Sequence, residues 1–188
     1  MTARALLAMD FEPAILGRVG GDDCPALPKA RAAVEAARAA GVPVIFVRVA
    51  FRAGYPEINP RNKGFAAAVA AYGDALLETS PTTAVHPSLQ PRDEEAVVVK
   101  RRFSAFASDL DALLRGRGIT SLTLAGVSTS GVVLSTLRQA ADLDYELTVL
   151  ADACADRDLD LHELLMTKVF PSQATVVTTA DWIAFLQG

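Results

Sequence analysis

Two residue types that dominate active sites are scarce in this chain. It has two histidines, His86 and His162, and two cysteines, Cys24 and Cys154, in 188 residues. Two distant cysteines exclude a disulfide framework and lack the spacing of a thiolate metal site. No apolar run approaches the roughly 18 residues that a membrane helix requires. Arg4 does precede an apolar run, as in a secretory signal. That run stops at Asp10 without a small-residue cleavage site, so a cytoplasmic location is expected. Dense positive charge is also missing: the net charge is −4, and Lys100, Arg101 and Arg102 form the only compact basic run. A nucleic-acid partner is therefore not expected.

What is present is a globular composition, 51% hydrophobic and 21% charged, long enough for one domain spanning 1–188. Ala5 to Met9 is a short apolar run of the kind found in strands buried on both faces. Leu27 to Ala40 reads as a helix stopped by Gly41, and the β-branched Val42 to Ala50 as a second strand. Phe51 to Pro60 carries aromatic, basic and turn residues and reads as an active-site loop. A helix over about Gly64 to Tyr72 and a proline-punctuated stretch from Ser80 to Glu95 follow. Ala96 to Lys100 is the third strand and Asp109 to Arg117 the next helix. Leu122 to Ala125 is the fourth strand, entering the Gly126 turn and a helix with Val133, Leu137 and Ala140 on its apolar side. Further on come a strand over Glu146 to Ala151 and a helix over Asp158 to Val169 with Leu161, Leu164 and Leu165 on one side. A sixth strand from Thr175 to Thr178 and a helix from about Ala180 to Leu186 end the pattern. Strands alternating with helices mean an α/β, three-layer fold with a six-stranded parallel sheet and helices on both faces, and the doubly wound order 3-2-1-4-5-6 is expected for it.

In such a sheet ligands bind beyond the carboxyl ends of the strands, where the strand order reverses. Asp10 ends strand one, Lys100 ends strand three, and the Ser/Thr/Gly segment after Gly126 follows strand four. Singly, Asp10 reads as a cap or turn residue and Lys100 as a solvated strand end. Together they converge on one crevice. The strand–turn–helix elbow at Gly126 to Val132 is also expected to aim backbone N–H groups at a ligand, with a helix dipole that favours negative charge.

The elbow, Gly126-Val127-Ser128-Thr129-Ser130-Gly131-Val132-Val133, resembles the G-x-x-T-x-x-C-V signature of the isochorismatase-like hydrolases, the cysteine hydrolase superfamily that includes nicotinamidases. It matches at Gly126, Thr129 and Val133, and Val132 stands where the nucleophilic cysteine would be. The resemblance extends to Asp10-Phe11-Glu12, similar to a D-x-Q motif. It also covers Lys100 followed by Ser104-Ala105-Phe106, and Ala151-Asp152-Ala153-Cys154-Ala155 at the exit of strand five. It implies catalytic roles for Asp10 and Lys100 and a cis peptide at Val127–Ser128. Substrate contacts are expected from Phe11, Glu12, Arg52, Phe103, Val127, Ser128 and Gly131. The Asp-x-His that nicotinamidases carry after strand two is replaced by Phe51-Arg52-Ala53-Gly54, so no metal and no cofactor are expected. Relatives commonly form homo-oligomers, and the expected partner is a small-molecule substrate, with no membrane.

Valine has no lone pair, so acyl-enzyme formation at position 132 is impossible. Neither histidine is adjacent in sequence to the elbow hydroxyls, which disfavours a serine takeover. What the resemblance leaves is the chemistry of true isochorismatases, which protonate an enol ether and need an acid, not a nucleophile. Asp10 would be the acid, Lys100 its partner, and Arg52, Arg101 or Arg102 a carboxylate holder. Val132 would form an apolar wall with Phe11 and Phe103. Glu12 beside Asp10 either raises a carboxyl pKa by like-charge repulsion or pairs with an arginine. A catalytically silent binding protein or subunit, and an acid–base lyase or isomerase, remain as alternatives.

Overall fold

The computed structural model describes residues 3–188. Six runs of apolar and β-branched residues form the strands: β1 Arg4–Met9, β2 Val44–Val49, β3 Ala96–Lys100, β4 Ser121–Val127, β5 Glu146–Ala155 and β6 Thr175–Val177. They make one sheet in the order β3-β2-β1-β4-β5-β6, with every pairing parallel. The helices are α1 Pro13–Leu16, α2 Ala26–Ala39, α3 Lys63–Tyr72, α4 Leu110–Gly116, α5 Leu134–Asp142, α6 Leu159–Leu164 and α7 Thr179–Gln187.

The period-2 alternation of strand side chains divides the core into two layers. Ala5, Leu7 and Met9 of β1 face one side, where Leu110 and Leu114 of α4 and Leu137 and Ala140 of α5 cover them. Leu6 and Ala8 face the other, against Leu16 of α1, the alanine stripe of α2 and Trp182 of α7. A third, smaller apolar cluster, Val49, Phe51, Phe65 and Leu76, ties α3 to the end of β2. That cluster roofs the crevice at the carboxyl ends of the strands.

Several boundaries differ from the sequence expectation, each for a local reason. Strand β5 runs four residues past Ala151 because Asp152 is not a strand stop. Its carboxylate accepts from the N–H and hydroxyl of Thr179, both at 2.7 Å, and so caps α7. The expected helix over Asp158 to Val169 is α6 followed by a wider π-type turn, Leu165–Val169. Of its four leucines only Leu165 is buried, while Leu159, Leu161 and Leu164 are exposed. The stretch from Ser80 to Glu95 contains two single helical turns, Pro81–Thr83 and Pro87–Leu89, each begun by a proline.

Strands β1 and β4 approach closely at Gly126. A Cβ there would lie 2.9 Å from the Met9 carbonyl oxygen and 3.0 Å from its Cβ. Backbone cannot swing aside as a side-chain tip can, so Gly126→Ala should destabilise the fold by about 1–3 kcal/mol through overpacking. Thermal or urea unfolding of the variant against the parent measures this.

Candidate active site

Asp10 sits one residue past β1 with φ 57, a left-handed conformation that aspartate tolerates better than most residues. Its N–H donates to the Val47 carbonyl of the neighbouring strand at 2.8 Å, which fixes the turn. Lys100, the last residue of β3, extends beneath this turn. Its Nζ lies 2.8 Å from Asp10 Oδ2 and donates to the Arg102 carbonyl at 3.1 Å. Asp10 is 5% exposed and Lys100 1%. Two of the three ammonium protons are thus engaged, and Asp10 Oδ1 is buried with no partner. Burial pushes the Asp10 carboxyl up to about 6, against the pull of Lys100.

Asp10 and Lys100 both line a narrow chamber of about 80 Å³ at the carboxyl end of the sheet. Val127, Ser128, Gly131, Val132 and Phe103, named in the sequence as candidate substrate contacts or pocket wall, line it too. The Val127–Ser128 peptide is cis. A Cβ at Gly131 would lie 2.6 Å from Ser128 Oγ, so that hydroxyl would have to turn aside.

Three expected substrate contacts are absent from the chamber. Phe11 is buried in the α2-side core instead, because the left-handed turn at Asp10 sends the next side chain to the opposite face. Glu12 is fully buried, and its Oε1 accepts from the Val49 N–H at 2.9 Å. It pairs with no arginine, and its Oε2 has no partner. Burial and the neighbouring Asp10 hold its carboxyl well above the usual range. Arg52 turns away from the chamber to pair with Glu57 at 2.5 Å. Arg101 pairs with Glu57 at 3.5 Å and with Glu78, and Arg102 donates to the Glu57 carbonyl. The Phe51 to Pro60 loop therefore folds onto its own acidic residue, and of its side chains only Phe51 reaches the chamber.

The elbow also departs from expectation. The Ser130 N–H donates to Asp156 Oδ2 at 2.7 Å, and the Gly131 N–H to the Ser128 carbonyl at 3.2 Å. These two amides serve the turn itself and are not open to a ligand. Thr129 and Ser130 point away from the chamber: Thr129 Oγ1 hydrogen-bonds His162 Nδ1 at 2.8 Å, and Ser130 Oγ donates to Asp156 at 2.7 Å. Burial lowers the His162 pKa, which favours a neutral ring. Sequence distance hid this cluster, since His162 lies 33 residues beyond Thr129. Phe65, Ala68 and Tyr72, which also line the chamber, were legible as one face of α3 at i, i+3 and i+7. Arg18, at the chamber mouth, had no signal among scattered arginines.

Both cysteines lie elsewhere. Cys24 is in the α2-side core. Cys154 pairs with Gly126 across β4 and β5, and burial pushes its thiol up to about 12. Among the described residues, no group of three or more His, Cys, Asp or Glu side chains is placed to hold a metal.

The sequence model of the Isochorismatase domain matches residues 4–181 of this chain. The chain belongs to the isochorismatase family. The isochorismatase family protein YecD of Escherichia coli O157:H7 is 33% identical over 182 residues, covering 92% of this chain and 90% of that protein. The ureidoacrylate amidohydrolase RutB of Stutzerimonas stutzeri is 34% identical over 169 residues, 79% of this chain and 68% of that one. Among solved structures, an isochorismatase family protein from Burkholderia thailandensis superposes with a TM-score of 0.82 at 28% identity, covering 99% and 96% of the two chains. One from Desulfovibrio vulgaris reaches a TM-score of 0.86 at 26% identity over the full length of both.

In this isochorismatase-family chain, burial and the neighbouring Asp10 favour the protonated form of Glu12. Protonated, it accepts from the Val49 N–H with one oxygen and carries a neutral hydroxyl on the other, as the glutamine of a D-x-Q motif would carry its NH₂. Its folded pKa is raised above 4.5, so the unfolded chain ionises first as pH rises. Stability from Glu12 is therefore complete below pH 4.5 and declines above it until the folded carboxyl also ionises. Glu12→Gln should match the parent at pH 4. Above pH 4.5 the variant should be the more stable, its unfolding equilibrium constant falling relative to the parent's by up to about tenfold per pH unit. Urea titrations from pH 4 to 8 give that gap directly.

Proposed function

We propose that this isochorismatase-family chain is a hydrolase of a small anionic metabolite that works without a thiol. The observation that carries the reading is the unpartnered Oδ1 of Asp10, held at the chamber by Lys100 on the other carboxylate oxygen. An acid whose pKa lies near the working pH combines a useful protonated fraction with a useful driving force. Asp10 at about 6 meets that condition.

On an enol ether, protonated Asp10 gives its proton to the terminal alkene carbon, and the ether-bearing carbon becomes an oxocarbenium ion. Lys100 stabilises the carboxylate left behind. Water adds to the cation and returns a proton to Asp10. The hemiketal then collapses to a ketone and an alcohol, so that one water is consumed and the catalyst is restored. No step requires a nucleophilic side chain. By motif resemblance Val132 holds the position of the family nucleophile, and neither cysteine lines the chamber. The relative RutB is named for an amide substrate bearing a carboxylate, which supports an anionic substrate here. A silent scaffold is the weaker reading, because it has no use for an ion pair that is costly to bury.

A hydrolysis screen with isochorismate, ureidoacrylate and neutral amides tests the proposal. The expected outcome is turnover of an anionic enol ether or related substrate, reduced about 10²–10⁴-fold in Asp10→Asn, as for loss of a general acid. Cys24→Ala and Cys154→Ala should retain turnover. Inactivation by iodoacetamide through either thiol would overturn the thiol-free mechanism.

A further inference from the structure

The inner chamber is small, about 80 Å³, yet it opens into a second cleft of about 600 Å³ between α1 and α3. Arg18, Gly64, Ala68 and Tyr72 line both, so the two spaces form one path. The cleft has a particular composition. Its walls are mainly Pro13 and small residues, with the ring of Tyr72, and its charged lining residues are Arg18 and Arg157 alone. Among the described residues no carboxylate lines it. Arg18 follows α1 and Arg157 follows β5, so two distant segments each bring an arginine to the lining of one cleft.

Neither guanidinium makes an ion pair or a side-chain hydrogen bond among the described residues, and both residues are exposed. Most other arginines are engaged: Arg38 with Glu95, Arg48 with Thr83, Arg52 with Glu57 and Arg115 with Asp111. Unpaired cations beside an apolar floor form a binding surface for an anion with a hydrocarbon body, since guanidinium reads carboxylate through paired N–H donors.

We infer that this outer cleft binds the anionic end of the substrate, with Arg18 and Arg157 as its specificity-determining residues. The substrate is then elongated: a compact reacting end at Asp10, an apolar middle passing Tyr72, and a carboxylate between the two arginines. Only the position of the reacting end rests on the hydrolase reading. The cleft itself reads negative charge whatever the chemistry.

The probe is 3-phenylpropionate, with the neutral 3-phenylpropionamide as its near-isostere, and the readout is binding by calorimetry to the intact chain. The acid should bind at least tenfold tighter than the amide, and the preference should shrink with added salt. Arg18→Gln and Arg157→Gln should each weaken the acid several-fold and leave the amide unchanged. The double variant should abolish the preference, whereas Arg31→Gln, at an exposed position of α2, should preserve it. Equal binding of acid and amide, no binding of the acid, or a preference that survives the double variant would each overturn the inference. Because no turnover is needed, a chain that binds the acid as described but hydrolyses nothing would sink the hydrolase proposal and leave the cleft assignment standing.

Discussion

The ion pair between Asp10 and Lys100 is the constraint around which the carboxyl end of this sheet is arranged. Two opposite charges at 2.8 Å, almost wholly removed from water, survive only if each is further satisfied. The backbone meets part of that need: the Arg102 carbonyl accepts from Lys100, and the left-handed turn at Asp10 is held by Val47. The rest is left unmet on the chamber side, at Asp10 Oδ1. That imbalance is what gives the site chemical potential. A fully satisfied pair would be structural, whereas this one keeps a buried carboxylate oxygen facing a space where a substrate can sit.

The elbow has been organised around support instead of charge capture. The Ser130 and Gly131 amides and the Thr129 and Ser130 hydroxyls are taken by Asp156, His162 and the Ser128 carbonyl, while Ser128, Gly131 and Val132 line the chamber. Among the described residues, the ionisable side chains lining the chamber are Asp10, Lys100, Tyr72 and the exposed Arg18, and Asp10 is the one carboxylate. Glu12 lies behind them with its carboxyl pushed upward, so that a second negative charge does not compete for Lys100. Any acid–base chemistry in the chamber then falls to Asp10.

How much of this was readable in the sequence depends on whether the signal was local. The six strands and the parallel sheet followed from apolar runs and alternation, and Asp10 and Lys100 were visible because strand ends converge in a doubly wound sheet of order 3-2-1-4-5-6. Strand β5 was cut short because Asp152 looks like a terminator, although its partner Thr179 lies 27 residues away. The Thr129–His162 contact was hidden for the same reason. Phe11 and Glu12 were placed at the site through adjacency to Asp10. A single positive φ redirected both, and no side-chain pattern announces such an angle on an aspartate. Arg52 was credited with a substrate carboxylate that Glu57, five residues on, already supplies from within the loop.

The central claim is that Asp10 is an acid poised near neutrality, and its titration is the most direct test. Selective ¹³C labelling of aspartate carboxyl groups, with the Asp10 resonance assigned by its loss in Asp10→Asn, would follow this one group from pH 4 to 8. The account predicts a midpoint near 6. A carboxyl already ionised at pH 4 would make Asp10 a permanent anion locked to Lys100, and would contradict its role as proton donor.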